Sequence, residues 1–135
     1  MNTALRDLVS TGPLCHLSTV NPDGSPQVTV VWVGADGDEL VTAHLPYNQK
    51  VRNMERDPRV VLSFLGPHED WALLQPYAVV QARATVTRSD EAWDVLDRLV
   101  KIYVNPDVTF PAPRSPGFVV RYAIAKVGGI GPWAS

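Results

Sequence analysis

The most informative stretch of the chain is residues 39–64, which read ELVTAHLPYNQKVRNMERDPRVVLSF. We predict a strand that ends at His44, a helix over residues 48–56 and a further strand over residues 60–64. An Asp-Pro pair separates the helix from the last strand, because a proline disfavours helical geometry in the residue before it. The spacing of the apolar residues predicts that the helix packs on a sheet.

Lys50 lies in the first turn of this predicted helix. A cation there faces the positive end of the helix dipole and unpaired backbone N–H groups, which costs roughly 0.3–1 kcal/mol. A bound anion would remove this cost, and helix N-termini bind phosphate readily. This segment alone leaves two interpretations open: Lys50 points into solvent, or it forms an anion site with the start of the helix.

The composition narrows the class of protein. The 135 residues are 45% apolar, which is enough for one domain over residues 1–135 with its own core. The formal charge of −2 gives no electrostatic case for nucleic acid. Cys15 is the one cysteine, so an intrachain disulfide is excluded, and we expect it to be a core residue in a reducing compartment. With no long apolar run and no signal-peptide pattern, we expect a cytoplasmic protein that does not bind membranes.

The rest of the chain reads mainly as short strands joined by tight turns. Apolar patterns predict strands over residues 14–20, 27–33, 40–44, 60–64, 77–87 and 118–127, and helices over residues 2–9, 48–56 and 89–103. We expect a turn at residues 34–38, a proline-rich loop at 105–117 and a glycine-rich tail at 128–133. The strand 27–33 is apolar on both faces, so we expect it to be buried on both sides. About six strands joined by hairpins favour a small antiparallel barrel with peripheral helices.

The sequence contains no self-sufficient catalytic constellation. The three histidines are dispersed along the chain, so we expect no metal site. No nucleophile elbow and no phosphate-binding glycine loop is present. An enzyme of this kind needs a cofactor that carries the reaction, while the protein supplies a phosphate anchor, a flat apolar slot and backbone donors.

The sequence leaves the roles of four arginine and aromatic side chains open. Arg52 and Arg56 lie four residues apart on one helix face, either in solvent or against the acidic tail of a ligand. Trp32 and Tyr77 are either core residues or walls of a cofactor slot.

The order of four motifs resembles the pyridoxamine 5′-phosphate oxidase-like superfamily of flavin split barrels, and within it the actinobacterial branch that uses the deazaflavin coenzyme F420. These motifs are DGSPQVTVVWV (23–33), QKVRNMERDPRVVLSF (49–64), YAVVQARATV (77–86) and GGIGPW (128–133). The resemblance implies a mainly β protein with peripheral helices, folded as a six-stranded antiparallel split barrel of the FMN-binding type. It also implies a homodimer with the cofactor cleft at the subunit interface.

The resemblance further implies candidate residues for the cofactor phosphate. Lys50 matches the lysine that holds this phosphate. Asn48 and Gln49 precede it, where relatives often have arginine or serine. His44 stands where relatives often have threonine.

Other residues of the resemblance relate to the ring system and the tail of the cofactor. Thr29 and Val31 match the strand that lines the ring, and Trp32 next to them is a candidate wall. Tyr77 matches an aromatic residue that reaches the partner subunit's site. Arg52 and Arg56 are candidates for contact with the polyglutamate tail of F420.

The function that the resemblance implies is an oxidoreductase that transfers a hydride from reduced F420 to an electron-poor conjugated molecule, such as a quinone or an enone. Oxidation of vitamin B6 is disfavoured, because no C-terminal segment with the additional arginine and histidine follows GPWAS. The alternatives are an FMN-dependent oxidoreductase of the same fold, a carrier that binds the coenzyme without turnover, and a barrel that binds neither coenzyme. The sequence identifies neither the substrate nor the proton donor.

Overall fold

Seven strands form one antiparallel sheet in the computed structural model, which describes residues 1–134. The strands, in chain order, are β1 (Cys15–Val20), β2 (Pro26–Val31), β3 (Gly34–Asp36), β4 (Glu39–His44), β5 (Arg59–Leu65), β6 (Tyr77–Ser89) and β7 (Gly117–Ile130). They are arranged in the order β2-β1-β5-β6-β7-β4-β3. The predicted class, a mainly β antiparallel fold with helices, is confirmed.

The two edge strands of this sheet, β2 and β3, are neighbours in the sequence. Only Trp32 and Val33 join them, so the ends of the edge strands lie at most about 11 Å apart. The sheet must therefore curl round on itself, with its apolar inner face enclosed. Within residues 1–134, however, no strand pairing joins β2 to β3. The expected six-stranded barrel is thus corrected to a curled sheet of seven strands that is open between β2 and β3.

The additional strand, β3, lies where the sequence predicted a turn. Gly34 pairs with Val41, and Asp36 pairs with Glu39, so a three-residue strand forms against β4. An ion pair of 2.7 Å between Asp36 and Arg121 on β7 holds the end of the strand. This ion pair links residues far apart in the sequence, and local propensity does not reveal it.

Three helices cover the sheet, and their bounds are α1 (Thr3–Ser10), α2 (Gln49–Arg56) and α3 (Ala92–Tyr103). Each begins one to three residues later than the sequence predicted. Helix α1 buries Leu5, Leu8 and Val9. Helix α3 packs on the outer side of β4, where Ala92 forms a small apolar cluster with Val41 and Ala43.

The main core lies on the inner face of the sheet and joins side chains from α1, α2 and six strands. Cys15 is fully buried within it, which confirms its interpretation as a core residue. Burial raises the pKa of the Cys15 thiol to about 12, so the group remains a neutral thiol at physiological pH.

The face of the sheet opposite to the core is covered by α3 at β4, but over β2, β1 and β5 it exposes apolar side chains in the single chain. On β2 the side chains of Val28 and Val30 are 60% and 54% exposed, so the predicted burial of this strand on both sides is wrong for one chain. The strand register places them beside Ser18 and His16 of β1, followed by Val61 of β5. We call this surface the outer face; its large apolar members are Val28, Val30, Val61, Leu65, Tyr77 and Ile130.

Gly128 and Gly129, predicted as part of a tail, belong to a strand. Strand β7 continues to Ile130, and Gly129 has a φ of 98° next to Ala78 of β6. A Cβ atom at Gly129 would lie 2.1 Å from the Tyr77 carbonyl oxygen, so only glycine fits. Beyond the strand, Trp133 is buried, and its Nε1 donates to the same carbonyl at 2.8 Å.

None of the helices in the described part of the chain is both long enough and apolar enough to cross a membrane.

Candidate functional site

The start of helix α2 is the centre of the candidate site. Asn48 is its N-cap, and the Asn48 Oδ1 accepts a hydrogen bond from the Val51 backbone N–H at 3.3 Å. The Asn48 side chain therefore caps the N-terminus of the helix. Lys50, the second residue of α2, stands among the N–H groups at the positive end of the helix.

Helix α2 is fixed to the hairpin of β1 and β2 by a buried amide. Asn53 is fully buried, and its Nδ2 donates to Thr19 Oγ1 at 3.0 Å and to Asn21 Oδ1 at 2.9 Å. Its Oδ1 accepts from Gln49 Nε2 at 2.8 Å. Together with buried Val51 and Met54, this network sets the position from which Lys50 projects.

Lys50 is partly buried, and its ammonium group has no hydrogen-bond or ion-pair partner among residues 1–134. Burial lowers the pKa of Lys50 below its usual value, because the charged form loses part of its hydration. A partly buried cation without an anion, at the positive end of a helix, is a site where a negative group would be stabilised.

Lys50 lines a cavity of about 220 Å³ between β2, β4, α2 and α3. Its lining consists of Val30, Val31, Trp32, Ala43, His44, Lys50 and Leu96. Four residues predicted from the sequence, Val31, Trp32, His44 and Lys50, are thereby brought together. We call this space the Lys50 cavity.

His44 connects the Lys50 cavity to a buried chain of hydrogen bonds. The His44 Nε2 lies 2.9 Å from Thr42 Oγ1, and Thr42 Oγ1 lies 2.7 Å from the Tyr122 hydroxyl. The Tyr122 hydroxyl donates to Met54 Sδ at 3.6 Å. Burial, and then the positive charge of Lys50, lower the pKa of His44 to about 4, so its imidazole is neutral at pH 7.

Several other predicted site residues are engaged within the chain. Gln49 donates to Asn53, and Arg56 donates to the carbonyl oxygen of Val20. The Arg52 guanidinium is exposed and lies 4.9 Å from the centre of the Tyr47 ring. None of these three, nor Asn48, lines the Lys50 cavity.

The predicted residues Thr29 and Tyr77 lie on opposite faces of the sheet. Thr29 lies on the same side of β2 as Val31, and its Oγ1 is buried without a hydrogen-bond partner in residues 1–134. Tyr77 lies on the outer face at the start of β6, separated from β2 by strands β1 and β5. Within one chain, Tyr77 therefore does not line the Lys50 cavity.

A larger cavity, of about 490 Å³, lies on the outer face between Ser18, Arg59 and Arg83. It contains none of the predicted site residues. Arg59 is already paired with Asp57 at 2.6 Å. Despite its smaller volume, the Lys50 cavity is the better candidate, because it combines a cation without a partner, a neutral histidine and apolar walls.

The sequence did not reveal Thr42 and Tyr122. Alternation along β4 places Thr42 on the same face as His44, and this signal was available. Tyr122 is 80 positions from Thr42, and its contact arises from the pairing of β4 with β7, which no local pattern specifies.

Comparison with known proteins agrees with this fold. A family model described as pyridoxamine 5′-phosphate oxidase matches residues 1–129 of the chain. The chain belongs to the pyridoxamine 5′-phosphate oxidase family. The family predicted from the order of motifs is therefore confirmed.

Solved structures similar to this member of the pyridoxamine 5′-phosphate oxidase family include one named F420 reductase. It has 26% identity and a TM-score of 0.75, over 91% of this chain and 94% of that chain. The conserved hypothetical protein Rv2991 from Mycobacterium tuberculosis has 21% identity and a TM-score of 0.76, over 96% and 84%. A putative 5-nitroimidazole antibiotic resistance protein from Bacteroides thetaiotaomicron has 17% identity and a TM-score of 0.70, over 95% and 82%. No curated protein matches the chain.

Proposed function

We propose that this protein is an oxidoreductase that uses reduced F420 to reduce an electron-poor conjugated molecule, such as a quinone or an enone. The bound coenzyme would supply the hydride, and the residues of this chain would bind and orient it. The proposal is supported by the family and by the similarity to a structure named F420 reductase. The observation that carries it is the Lys50 ammonium group, which has no partner at the start of α2.

The donors and walls of the Lys50 cavity fit a phosphate-bearing coenzyme with a flat ring. In the described residues the Lys50 ammonium has no ion-pair partner. Thr29 does not line this cavity, but its buried hydroxyl lacks a hydrogen-bond partner on the same side of β2 as Val31. Val31, Trp32 and Leu96 supply apolar and aromatic surface. The lining includes no carboxylate that would repel an anion.

The chemical contribution of the chain is positioning and exclusion of water. His44 and Lys50 are the ionisable residues in the lining, and His44 is neutral at pH 7. The rigid base for this positioning is the buried network of Asn53, which fixes α2 against the hairpin.

A homodimer with the site between two copies of the chain is part of the proposal. A volume of about 220 Å³ is below the range of about 300–1,000 Å³ that is typical of ligand pockets, so one chain encloses only part of a coenzyme. The outer face, with its exposed valines, supplies an apolar surface that a second copy would cover. In this arrangement Tyr77 of one copy would reach the site of the other.

The choice of coenzyme can be measured directly. F420 and FMN are titrated separately into the purified protein while the intrinsic tryptophan fluorescence is followed, because Trp32 lines the cavity. We expect saturable quenching by F420 at lower concentrations than by FMN. Tighter binding of FMN would favour the FMN-dependent alternative, and no binding of either would rule out the oxidoreductase.

A carrier that holds F420 without turnover is the second candidate. The observation that favours it is that the lining of the Lys50 cavity contains no acidic group and that His44 is neutral. Tight binding of F420 together with no oxidation of reduced F420 across a panel of quinones and enones would support the carrier and contradict the reductase.

A further inference from the structure

Two basic side chains, His44 and Lys50, line the same cavity, and His44 stands where relatives often have a threonine hydroxyl instead of an ionisable group. His44 is 8% exposed, and the charge of Lys50 is near enough to influence its pKa. The histidine is therefore buried, electrostatically coupled to Lys50 and in contact with the space that an anion would enter.

The hydrogen bonds of His44 favour one tautomer of its ring. The Tyr122 hydroxyl donates to Met54 Sδ, and a thioether sulfur accepts but does not donate. Tyr122 then accepts from the Thr42 hydroxyl, and Thr42 accepts from His44 Nε2–H. This order satisfies all four groups, because it leaves no donor without an acceptor.

In this tautomer the Nδ1 atom of His44 carries a lone pair and no proton. The opposite order of donors would put the proton on Nδ1 of a ring that lines the same cavity as Lys50 and is already influenced by its positive charge. Adding a proton at Nδ1 converts the ring into an imidazolium without any rearrangement of Thr42 and Tyr122.

The surroundings of His44 explain why it is neutral without a ligand and why an anion would change this. From α2 it faces the positive charge of Lys50, and from α3 the apolar side chain of Leu96. On β7, the residue that pairs with His44 is the apolar Phe118. The Tyr122 hydroxyl, also on β7, is linked to His44 through the Thr42 hydroxyl. No carboxylate acts on His44, so a bound anion would supply the negative charge that its protonated form lacks.

We propose that His44 is a second ligand for the anion bound at Lys50, and that Nδ1 takes up one proton from solvent when the anion binds. The site thus accepts an anion and a proton together. This inference rests on the proposed function only in placing the coenzyme phosphate next to Lys50.

The coupling makes anion affinity depend on pH. Anion affinity rises as the pH falls below the pKa that His44 has in the complex, and it is weakest above this pKa. Each unit by which the anion raises the pKa of His44 corresponds to a tenfold gain in affinity at low pH. His44 would thereby favour ligands whose negative charge lies within reach of both residues.

The test is a proton NMR titration of the imidazole signals with and without sulfate, a dianion that does not itself titrate between pH 4 and 8. The exposed His16 and His68 are replaced by glutamine, one at a time, so that the His44 signals are assigned by elimination. We expect sulfate to raise the pKa of His44 by one unit or more. In Lys50→Gln, the pKa of His44 without sulfate should be higher than in the wild type, and sulfate should leave it unchanged.

The outcomes separate this inference from the proposed function when the titration is repeated with F420. If sulfate leaves the pKa of His44 unchanged, the inference is wrong. The inference is also wrong if F420 binds without raising this pKa, and the proposed function then stands. If sulfate raises the pKa but F420 and FMN do not bind, the anion site stands and the proposed function fails.

Discussion

His44 is a buried base that binds protons less readily in the folded chain than in the unfolded chain. Its pKa is about 4 in the folded state, against the usual value of 6.5. Because the folded-state pKa is depressed, the stability that depends on neutral His44 is fully present above pH 6.5 and is lost as the pH falls towards 4. The difference in pKa corresponds to about 3 kcal/mol.

We predict that the free energy of unfolding of the ligand-free protein declines between pH 7 and pH 4 more steeply in the wild type than in His44→Gln. Between pH 7 and pH 4 the wild type should lose about 3 kcal/mol more of its free energy of unfolding than His44→Gln loses. Urea unfolding at fixed protein concentration measures it at each pH. His68→Gln, in an exposed loop, is the control and should follow the wild type. Parallel curves for the wild type and His44→Gln would show that His44 is not held neutral by the fold.

At the scale of residues, the sequence predicted which residues form the site better than it predicted their hydrogen-bond partners. Lys50 was identified because a lysine at a helix start is a local anomaly. Asn48 and Gln49 were predicted to bind the coenzyme, but in the single chain their side chains bond within α2. Thr42 was missed although it alternates with His44 along β4, and Tyr122 was missed because its contact with Thr42 depends on the pairing of distant strands.

At the scale of elements, helix α2 is stabilised by polar contacts as well as by apolar burial. It buries only Val51 and Met54 as apolar side chains, whereas Asn53 reaches three polar partners in the β1–β2 hairpin. A buried amide that loses its partners costs about 1–3 kcal/mol, because the remaining polar atoms stay desolvated.

We therefore predict that Asn53→Ala lowers the free energy of unfolding by about 1–3 kcal/mol, because Thr19 and Asn21 lose their donor. It should also weaken F420 binding, since Lys50 projects from the same helix. Urea unfolding and fluorescence titration measure the two effects. Asn105→Ala, in an exposed loop where the side chain accepts only from the Asp107 N–H, is the matched control. Equal losses of stability in both variants would contradict this role of Asn53.

Strands with regular apolar alternation were predicted well, and strands without it were missed. Strand β5 was predicted as residues 60–64 and extends over Arg59–Leu65. Strand β3 contains a glycine and an aspartate, and it forms by pairing with β4, with an additional ion pair between Asp36 and Arg121 of β7. The end of β7 contains two glycines, and it forms because the backbone of Gly129 packs closely on Tyr77. Such contacts are set by the tertiary fold, so residue propensity does not predict them.

At the scale of the whole molecule, the outer face contains six of the large apolar residues that the single chain leaves exposed. Val28 and Val30 on β2 and Val61 on β5 share this face, with β1 between the two strands, and the face continues to Leu65 and Ile130. A strand that is apolar on both faces is expected when both faces are covered. The sequence-based prediction for β2 is wrong for one chain and would hold in the proposed homodimer.

We predict a homodimer that Val28→Glu dissociates, because the substitution would place a charge in an apolar interface. Sedimentation velocity should show a dimer for the wild type and a monomer for the variant, with weaker F420 binding in the monomer. Val104→Glu, at an exposed position after α3, is the control and should remain dimeric. A wild-type protein that sediments as a monomer would contradict the interface.

The central claim is that Lys50 at the start of α2 binds the phosphate of the coenzyme. Its most direct test is the dissociation constant of F420 for the wild type, Lys50→Ala and Arg56→Ala, measured by fluorescence titration at one pH and ionic strength. A lost charge-assisted hydrogen bond of about 1.5–3 kcal/mol predicts a dissociation constant roughly 10- to 150-fold higher for Lys50→Ala. Arg56→Ala, which removes an exposed charge at the other end of the helix, should change it by less than about threefold. Equal effects of the two substitutions, or no effect of Lys50→Ala, would show that the phosphate binds elsewhere.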